Sequence, residues 1–301
     1  MWLDNMTYAD IVLKLINEDD RYMIMTSENR AAFRALPALI PKNFIDTGIT
    51  EQTMIGMAAG LALRGRVPVV HALATFLTMR AFEFIRTDVG IGNLPVKIVG
   101  AVPGFLSDGN GPTHQAIEDV SIMRGIPNMN VFCPADEDDM LKGIKTMITY
   151  PSPFYMRYNP TKALVEHSPL EIGKAETFGD GTDIAILVYG FLFGEAFQAK
   201  QILEEQGKSV RLINIRTPKP IDEEVVLKAV RECKKIVTIE DHLITGGLYS
   251  IVGELLLKNK IAADVLPIAL KTWFKPALLN DVLEYEGFTA EKIALAISSK
   301  L

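Results

Sequence analysis

The sequence contains few of the residues that form disulfides or hold metals. Its 301 residues include two cysteines and four histidines. Cys133 and Cys233 lie far apart and form no CxxC pair, which argues against a disulfide framework and favours a reducing compartment. The histidines are too scattered to show the ligand spacing of a metal site. We therefore expect neither disulfides nor a metal centre in this chain.

Long apolar runs and basic clusters are also absent. No stretch of about 18 apolar residues occurs, so no transmembrane helix is expected. The formal net charge is −6 and no Lys/Arg cluster offsets it, which argues against nucleic acid or a membrane as a partner. Residues 1–20 carry acidic side chains and lack the basic start of a secretory signal. Together these absences predict a cytoplasmic protein.

Several common catalytic motifs are missing from the sequence. It has no GxxxxGK[ST], HExxH or GxSxG segment. The triplet Gly179-Asp180-Gly181 could begin a site for Mg²⁺ and a diphosphate, but it precedes a predicted strand instead of following one. The next asparagine, Asn214, lies too far along the chain and inside a predicted strand. The triplet therefore favours a turn that leads into a second domain.

Strand-like and helix-like segments alternate along most of the chain. For example, the strand pattern Val67–Ala72 is followed by the helix pattern Phe76–Thr87 and the strand pattern Val96–Val102. Such alternation is typical of βαβ units with parallel strands. It predicts an α/β protein in which a mostly parallel sheet is flanked by helices.

One stretch interrupts this alternation. The segment Asn159–Thr182 is rich in proline and glycine, which indicates a linker, and the alternating pattern resumes after it. We therefore predict two α/β domains, at residues 1–165 and 175–301, each with its own mostly parallel sheet.

A glutamate stands at the head of an apolar helix. Almost every position from Thr53 to Gly65 is apolar or small, which is the pattern of a helix buried on all sides. Glu51 begins this helix, and a buried carboxylate is costly unless a specific partner needs it. The simplest alternative is a first-turn glutamate that is stabilised by the helix macrodipole. The residue alone does not decide between these interpretations.

Three loops follow strands of the first predicted domain, where open α/β sheets bind their ligands. They read ITEQ, TFLTMRAF and GNGPTHQ, and begin at Ile49, Thr75 and Gly109. In this order, and followed by IPNMNVFCPADEDD, they resemble the pyrimidine-binding domain of transketolase. In the second half, GTDIAILVYG, INIRTPKPID and TIEDHLITGGL are similar to the transketolase C-terminal domain. The resemblance covers essentially the whole chain.

The resemblance implies an enzyme that uses thiamine diphosphate, a cofactor whose own chemistry supplies a carbanion. Glu51 would hydrogen-bond N1′ of the aminopyrimidine ring and so help the cofactor to lose its C2 proton. Phe76 would stack on this ring, and Ile49, Met79 and Phe82 would complete an apolar pocket around it. The spacing of Phe76, Met79 and Phe82 is also that of an ordinary helix core.

The resemblance also implies a substrate site. His114 would contact the reacting hydroxyls and move protons, and Arg157 would bind the anionic end of a sugar phosphate. A packed or surface histidine and a solvated arginine are the alternatives. Asn110 stands where the family usually has a substrate-binding aspartate, Val102 where many members have a second histidine, and Tyr8 where a phosphate-binding arginine falls. These departures predict an anionic sugar substrate other than the usual pentose and hexose phosphates.

A transketolase also needs a domain that holds the diphosphate through Mg²⁺, and this sequence has no motif for it. The resemblance therefore implies the C-terminal subunit of a split transketolase, which transfers a two-carbon ketol unit between sugars. Its partner would be an N-terminal subunit that holds Mg²⁺, with the cofactor shared at the interface of an α2β2 assembly whose core is a dimer of this chain.

Other functions remain open from the sequence. The β subunit of a 2-oxoacid dehydrogenase-type decarboxylase has the same two-domain layout. Deoxyxylulose-phosphate synthase is similar too, but is usually one long chain. A non-catalytic regulatory partner is a third possibility. The GPTHQ and TFLTMRAF segments favour transketolase over the decarboxylase.

Overall fold

The computed structural model describes residues 6–29 and 31–301, and each half of this chain forms its own sheet. The strands of the first half are β1 (Tyr22–Thr26), β2 (Phe44–Asp46), β3 (Val67–Leu73), β4 (Lys97–Ala101), β5 (Asn130–Phe132) and β6 (Phe154–Arg157). Its helices are α1 (Tyr8–Glu18), α2 (Leu36–Leu39), α3 (Glu51–Leu63), α4 (Phe82–Phe84), α5 (Asp119–Arg124) and α6 (Glu137–Thr149).

The second half contains a further set of strands and helices. The strands are β7 (Glu176–Phe178), β8 (Ile184–Val188), β9 (Val210–Asn214), β10 (Lys235–Leu243) and β11 (Val265–Leu270). The helices are α7 (Phe193–Glu205), α8 (Glu223–Glu232), α9 (Leu248–Asn259), α10 (Leu279–Glu286) and α11 (Ala290–Ser298). None of the helices in the described residues is both long and apolar enough to cross a membrane.

The first sheet has the strand order β2-β1-β3-β4-β6-β5, and all neighbouring strands are parallel. Its central strands are buried and nearly continuously apolar, as expected for a parallel sheet covered on both faces. Leu73 at the end of β3 pairs in register with Ala101 at the end of β4. The loops that leave these two strands therefore start side by side at one edge of the sheet.

The second sheet has the order β11-β10-β8-β9-β7, in which only β7 runs antiparallel to its neighbour. The predicted α/β fold with two mostly parallel sheets is confirmed. Strand β7 lies within the stretch Asn159–Thr182 that the sequence indicated to be a linker. An edge strand of three residues is too short to give a recognisable pattern, so this part of the linker prediction was wrong.

The segment after β3 differs from the regular helix predicted for Phe76–Thr87. It forms two π-helical stretches, Phe76–Arg80 and Ile85–Gly90, on either side of the short helix α4. A π-helical turn accommodates an extra residue, and such turns are frequent at functional sites.

Helix α3 is less enclosed than the sequence indicated. Met54, Ile55 and Ala58 are fully buried against the sheet, but Met57 and Leu63 on the opposite side are exposed. The prediction of a helix buried on all sides was therefore wrong for one face, which leaves apolar side chains open on the surface of this chain.

Buried charged side chains join the two halves. Arg157 at the end of β6 pairs with Asp119 at 2.7 Å and with Asp241 of β10. Arg216, which follows β9, pairs with Asp139 of α6 at 2.6 Å. Both clusters therefore lie buried where the two halves meet.

Candidate active site

A cavity of about 610 Å³ opens at the carboxyl edge of the first sheet. Open α/β sheets bind their ligands at this edge. Residues of β3 and β4 and of the segments that follow β1, β2, β3 and β4 form much of its wall, and among them are Ser27, Ile49, Glu51, Phe76, Val102 and Leu106. The wall is mainly apolar, so a group bound inside it is shielded from water.

Glu51 is the first residue of α3, and its side chain lines the cavity although the residue is only 2% exposed. The position at a helix N-terminus stabilises its negative charge. The hydroxyl of Thr50 donates to the carbonyl of Thr47 at 2.9 Å and does not cap the helix. One oxygen of Glu51 lies 3.1 Å from a guanidinium nitrogen of Arg80.

Phe76 lies beside this carboxylate and connects it to the third loop. The guanidinium of Arg80 lies over the Phe76 ring, 4.1 Å from its centroid, in a cation–π contact. The His114 ring meets Phe76 edge-on, with the ring centroids 5.1 Å apart. The structure therefore brings Glu51 and Phe76 together in the wall of the cavity, with His114 against Phe76 but outside the described lining. The ring of His114 also shares a hydrogen bond of 2.9 Å with the Thr113 hydroxyl.

Only some of the other residues expected around a pyrimidine ring line the cavity. Ile49 lines the cavity and is 65% exposed. Met79 is exposed, and its sulfur accepts a hydrogen bond of 3.6 Å from Thr75. Phe82 is half-buried and packs against the apolar core of the first half. Neither Met79 nor Phe82 belongs to the described lining of the cavity, and Asn110 is exposed on the loop that also carries His114.

Arg157 does not lie where a substrate could reach it. Its guanidinium is fully buried and binds the Asp119 carboxylate at 2.7 and 2.8 Å, the Asp241 carboxylate and the carbonyl of Ala116. These acceptors engage the N–H groups of the guanidinium, and Arg157 is not part of the described cavity wall. The prediction that Arg157 binds the anionic end of a substrate is therefore wrong for this structure, in which Arg157 joins the two halves.

A group of aromatic side chains behind the cavity was not identified from the sequence. His71 of β3 lines the cavity, and its Nε2 lies 3.3 Å from the hydroxyl of Tyr8. The Phe33 ring contacts the His71 ring edge-on, with the centroids 4.4 Å apart. Burial lowers the pKa of His71 to about 3, so the ring is neutral. In the sequence, only the run VPVVHAL, in which a histidine interrupts an apolar strand, could have indicated that His71 has a special position.

The cavity provides little for an anion or a metal. Of the described residues that line it, Glu28 and Glu51 carry carboxylates and none is Lys or Arg. Among the described residues, neither glutamate belongs to a cluster of three side chains that could hold a metal ion.

A possible ligand group for a metal lies elsewhere, at the junction of the halves. It consists of Asp139, His167 and Glu176. Burial alone would lower the pKa of His167, but hydrogen bonds to Asp136 and Glu176 raise it to about 10. Both ring nitrogens contact carboxylates, that of Glu176 at 2.6 Å and that of Asp136 at 3.0 Å, as a cationic ring does. With Arg216 bound to Asp139 as well, these residues form a cluster of ion pairs.

In a comparison with known proteins, both halves of the chain match domains of the same family. Residues 6–163 match the transketolase pyrimidine-binding domain, and residues 173–293 match the transketolase C-terminal domain. A 6-deoxy-6-sulfo-D-fructose transketolase subunit of Clostridium sp. (strain MSTE9) is 34% identical over 98% of this chain and 93% of its own length. An apulose-4-phosphate transketolase subunit of Phocaeicola vulgatus is 32% identical over 87% of this chain and 86% of its own.

A solved structure agrees with these sequence similarities. A split-gene transketolase, an inactive β4 tetramer, superimposes with a TM-score of 0.88 at 30% identity. The match covers 97% of this chain and 96% of that chain. The chain thus corresponds nearly end to end to a transketolase subunit.

The residues of the cavity fit half of the cofactor on which this family depends, thiamine diphosphate. The buried carboxylate of Glu51 and the ring of Phe76 stand next to each other in an apolar wall, as an aminopyrimidine ring requires. The described lining has no cation or metal ligand group that would suit the diphosphate half. The chain therefore belongs to the transketolase family and is a transketolase-type transferase chain that consists of the pyrimidine-binding and C-terminal domains.

Proposed function

We propose that this chain is the C-terminal subunit of a two-chain transketolase that transfers a two-carbon ketol unit between sugars. The observation that carries this proposal is the buried Glu51 carboxylate beside Phe76 in an apolar cavity at the carboxyl edge of the sheet. Relatives of matching length support the two-chain form, since two of them are named transketolase subunits.

The roles of the side chains follow from their positions. Bound thiamine diphosphate would supply the nucleophilic carbon of the reaction. Glu51 would hold a proton at N1′ of the aminopyrimidine ring, and Phe76 would stack on the ring and fix its orientation. The apolar wall would exclude water, which strengthens the hydrogen bond from Glu51. Met79 and Phe82 would act from further away, because they do not line the cavity.

The loop at residues 102–115 would form the substrate side of the site. His114 lies against Phe76, and its ring would exchange protons with the substrate hydroxyls. Asn110 would donate or accept a neutral hydrogen bond at one hydroxyl. We further propose an anionic sugar as substrate, in line with the sulfonated and phosphorylated sugars in the names of the relatives. The cation for its anionic end would come from outside the described wall of this cavity.

The remaining half of the cofactor would be held by a partner subunit. The cavity wall lacks described cations and metal ligands, so the partner would bind the diphosphate and Mg²⁺ at the interface. Met57 and Leu63 leave an apolar surface on α3, and exposed apolar surfaces of this kind mark interaction sites. We propose that this face pairs two copies of the chain as the dimer core of an α2β2 assembly. The β4 tetramer of the split-gene relative supports such self-association.

Co-expression with a diphosphate-binding transketolase subunit would test the function. The complex should transfer ketol units between members of a panel of ketose donors and aldose acceptors when thiamine diphosphate and Mg²⁺ are present. The Glu51→Gln complex is the control and should be nearly inactive. Decarboxylation of 2-oxoacids without ketol transfer would contradict the proposal and favour a dehydrogenase-type subunit. The expected site of this reaction is the cytoplasm.

A further inference from the structure

The loop at residues 102–115 starts with a strained residue. Val102 lines the cavity and has φ +48°, although its side chain is branched at Cβ. Positive φ is unfavourable for such residues and persists only where neighbouring structure enforces it. Whatever holds Val102 in this conformation also fixes the wall of the cavity next to the substrate.

The turn that follows Val102 is contacted by the C-terminal domain. Gly104 has φ +55°, and a Cβ atom there would collide with the carboxylate of Asp241 on β10. The next backbone amide, that of Phe105, donates to the same carboxylate at 3.2 Å. The Phe105 ring then packs edge-on against Phe274, with the ring centroids 5.2 Å apart. Gly104 and Phe105 therefore both contact the second domain.

The other end of the loop is held by the same domain. The side-chain amide of Gln115, next to His114, donates to the carbonyl of Phe274 at 2.8 Å. In the middle of the loop, the carbonyl of Asp108 accepts a hydrogen bond of 3.3 Å from the amide of Ala277. Contacts from one domain thus fix the beginning, the middle and the end of the loop that carries Asn110 and His114.

Resting on the proposed function, we propose that Asp241 is a positioning residue of the reaction. It holds the turn at Gly104 and Phe105, keeps Val102 in its strained conformation and so places the substrate loop against the cavity. Arg157 contributes through Asp241, because it binds this carboxylate and Asp119 together. The C-terminal domain then has a defined part in the reaction although it contributes no residue to the described cavity wall.

The test compares two buried aspartates in the reconstituted complex. Asp241→Asn removes the charge that holds the turn. Asp139→Asn is a matched control, because Asp139 is equally buried, pairs with Arg216 and accepts a backbone amide, that of Ala135, at 2.9 Å. Both variants should lower the melting temperature. Only Asp241→Asn should lower kcat/KM for the best donor of the panel, by about tenfold or more, which corresponds to the strain stored at such a residue.

Two further measurements separate positioning from general stability. Deuterium exchange at C2 of the bound cofactor should stay within about twofold of wild type in Asp241→Asn, since the pyrimidine side of the cavity is untouched. Val102→Gly should recover part of the lost kcat/KM in the Asp241→Asn background, because glycine adopts positive φ without strain. The same substitution should recover nothing in the Asp139→Asn background.

Hydrogen exchange gives a readout that needs no substrate. Backbone amides of residues 102–115 should exchange faster in Asp241→Asn than in Asp139→Asn. If Asp241→Asn does not fold, Gln115→Met loosens the other end of the loop and should show the same pattern of kcat/KM and hydrogen exchange.

The proposal is overturned if both aspartate variants lower kcat/KM equally, if Val102→Gly recovers nothing, or if cofactor exchange falls in step with turnover. A wild-type complex without ketol transfer would instead refute the proposed function. The hydrogen exchange of the loop would then still decide whether Asp241 holds it.

Discussion

Replacing Glu51 by glutamine should slow deuterium exchange at C2 of bound thiamine diphosphate by about 10²–10⁴-fold. Glutamine has nearly the shape of glutamate, and the residue is only 2% exposed, so the apolar wall of the cavity is preserved. What is lost is an acid–base group beside the ring. The assay is quenched-flow exchange in deuterium oxide followed by proton NMR of the cofactor, on the reconstituted complex.

The stability cost of the same substitution should be small. It removes the ion pair with Arg80, whose side chain is 43% exposed, and pairs of this kind contribute at most about 1 kcal/mol. The melting temperature should fall by no more than about 2–4 °C. Glu83→Gln, which changes an exposed glutamate of α4, is the control and should leave the exchange rate unchanged. An unchanged exchange rate in Glu51→Gln would refute the role given to this carboxylate.

Three further substitutions test other parts of the site and the domain junction. His114→Ala should lower turnover by about 10²–10⁴-fold with unchanged cofactor affinity in a calorimetric titration, and a parallel loss of affinity would show a structural role instead. Asn110→Asp should shift the preference between donors by about tenfold, because a charge-assisted hydrogen bond replaces a neutral one, and an unchanged substrate panel would mean that Asn110 sets no specificity. His167→Gln should destabilise the chain by about 1.5–3 kcal/mol at neutral pH. Since the folded pKa of His167 is raised from 6.5 to about 10, this stabilisation is complete below pH 6.5 and is lost as the pH rises through 10. Melting curves whose difference from wild type does not shrink over that range would contradict the assignment.

Much of the regular structure could be predicted from local patterns. The strand predicted at Val67–Ala72 is observed at Val67–Leu73, because a short apolar run between polar residues leaves little choice. Glu51 was identified because a carboxylate at the head of an apolar helix needs a reason. The resemblance to transketolase supplied that reason. The family matches confirm the resemblance, whereas the role of Glu51 stays a prediction.

The features that the sequence did not indicate depend on contacts between distant residues. From its neighbours in the sequence, Arg157 could be a solvent-facing arginine. Its partners Asp119 and Asp241 are 38 and 84 residues away along the chain, so no local pattern shows them. The exposed face of α3 could not be predicted, because an apolar helix has the same sequence pattern whether it packs within its own chain or against another copy. The turn after Val102 is contacted by Asp241 of the second domain, so no local pattern could reveal this contact.

The roles given to the site residues stay predictions, including those of Glu51, Ile49 and Phe76. Met79, Phe82, Asn110 and His114 do not line the described cavity, and in the proposed assembly the partner subunit and a second copy of this chain would complete the site around them. The domain limits at 1–165 and 175–301 likewise stay predictions, although the two sheets fall on either side of the boundary between them.

The central claim is that this chain holds only the pyrimidine half of the cofactor site. Calorimetric titration of thiamine diphosphate with Mg²⁺, first into the isolated chain and then into its complex with the diphosphate-binding subunit, tests this claim most directly. The isolated chain should show no tight binding, and the complex should bind the cofactor in a manner that depends on Mg²⁺. Sub-micromolar, Mg²⁺-dependent binding to the isolated chain would contradict the account.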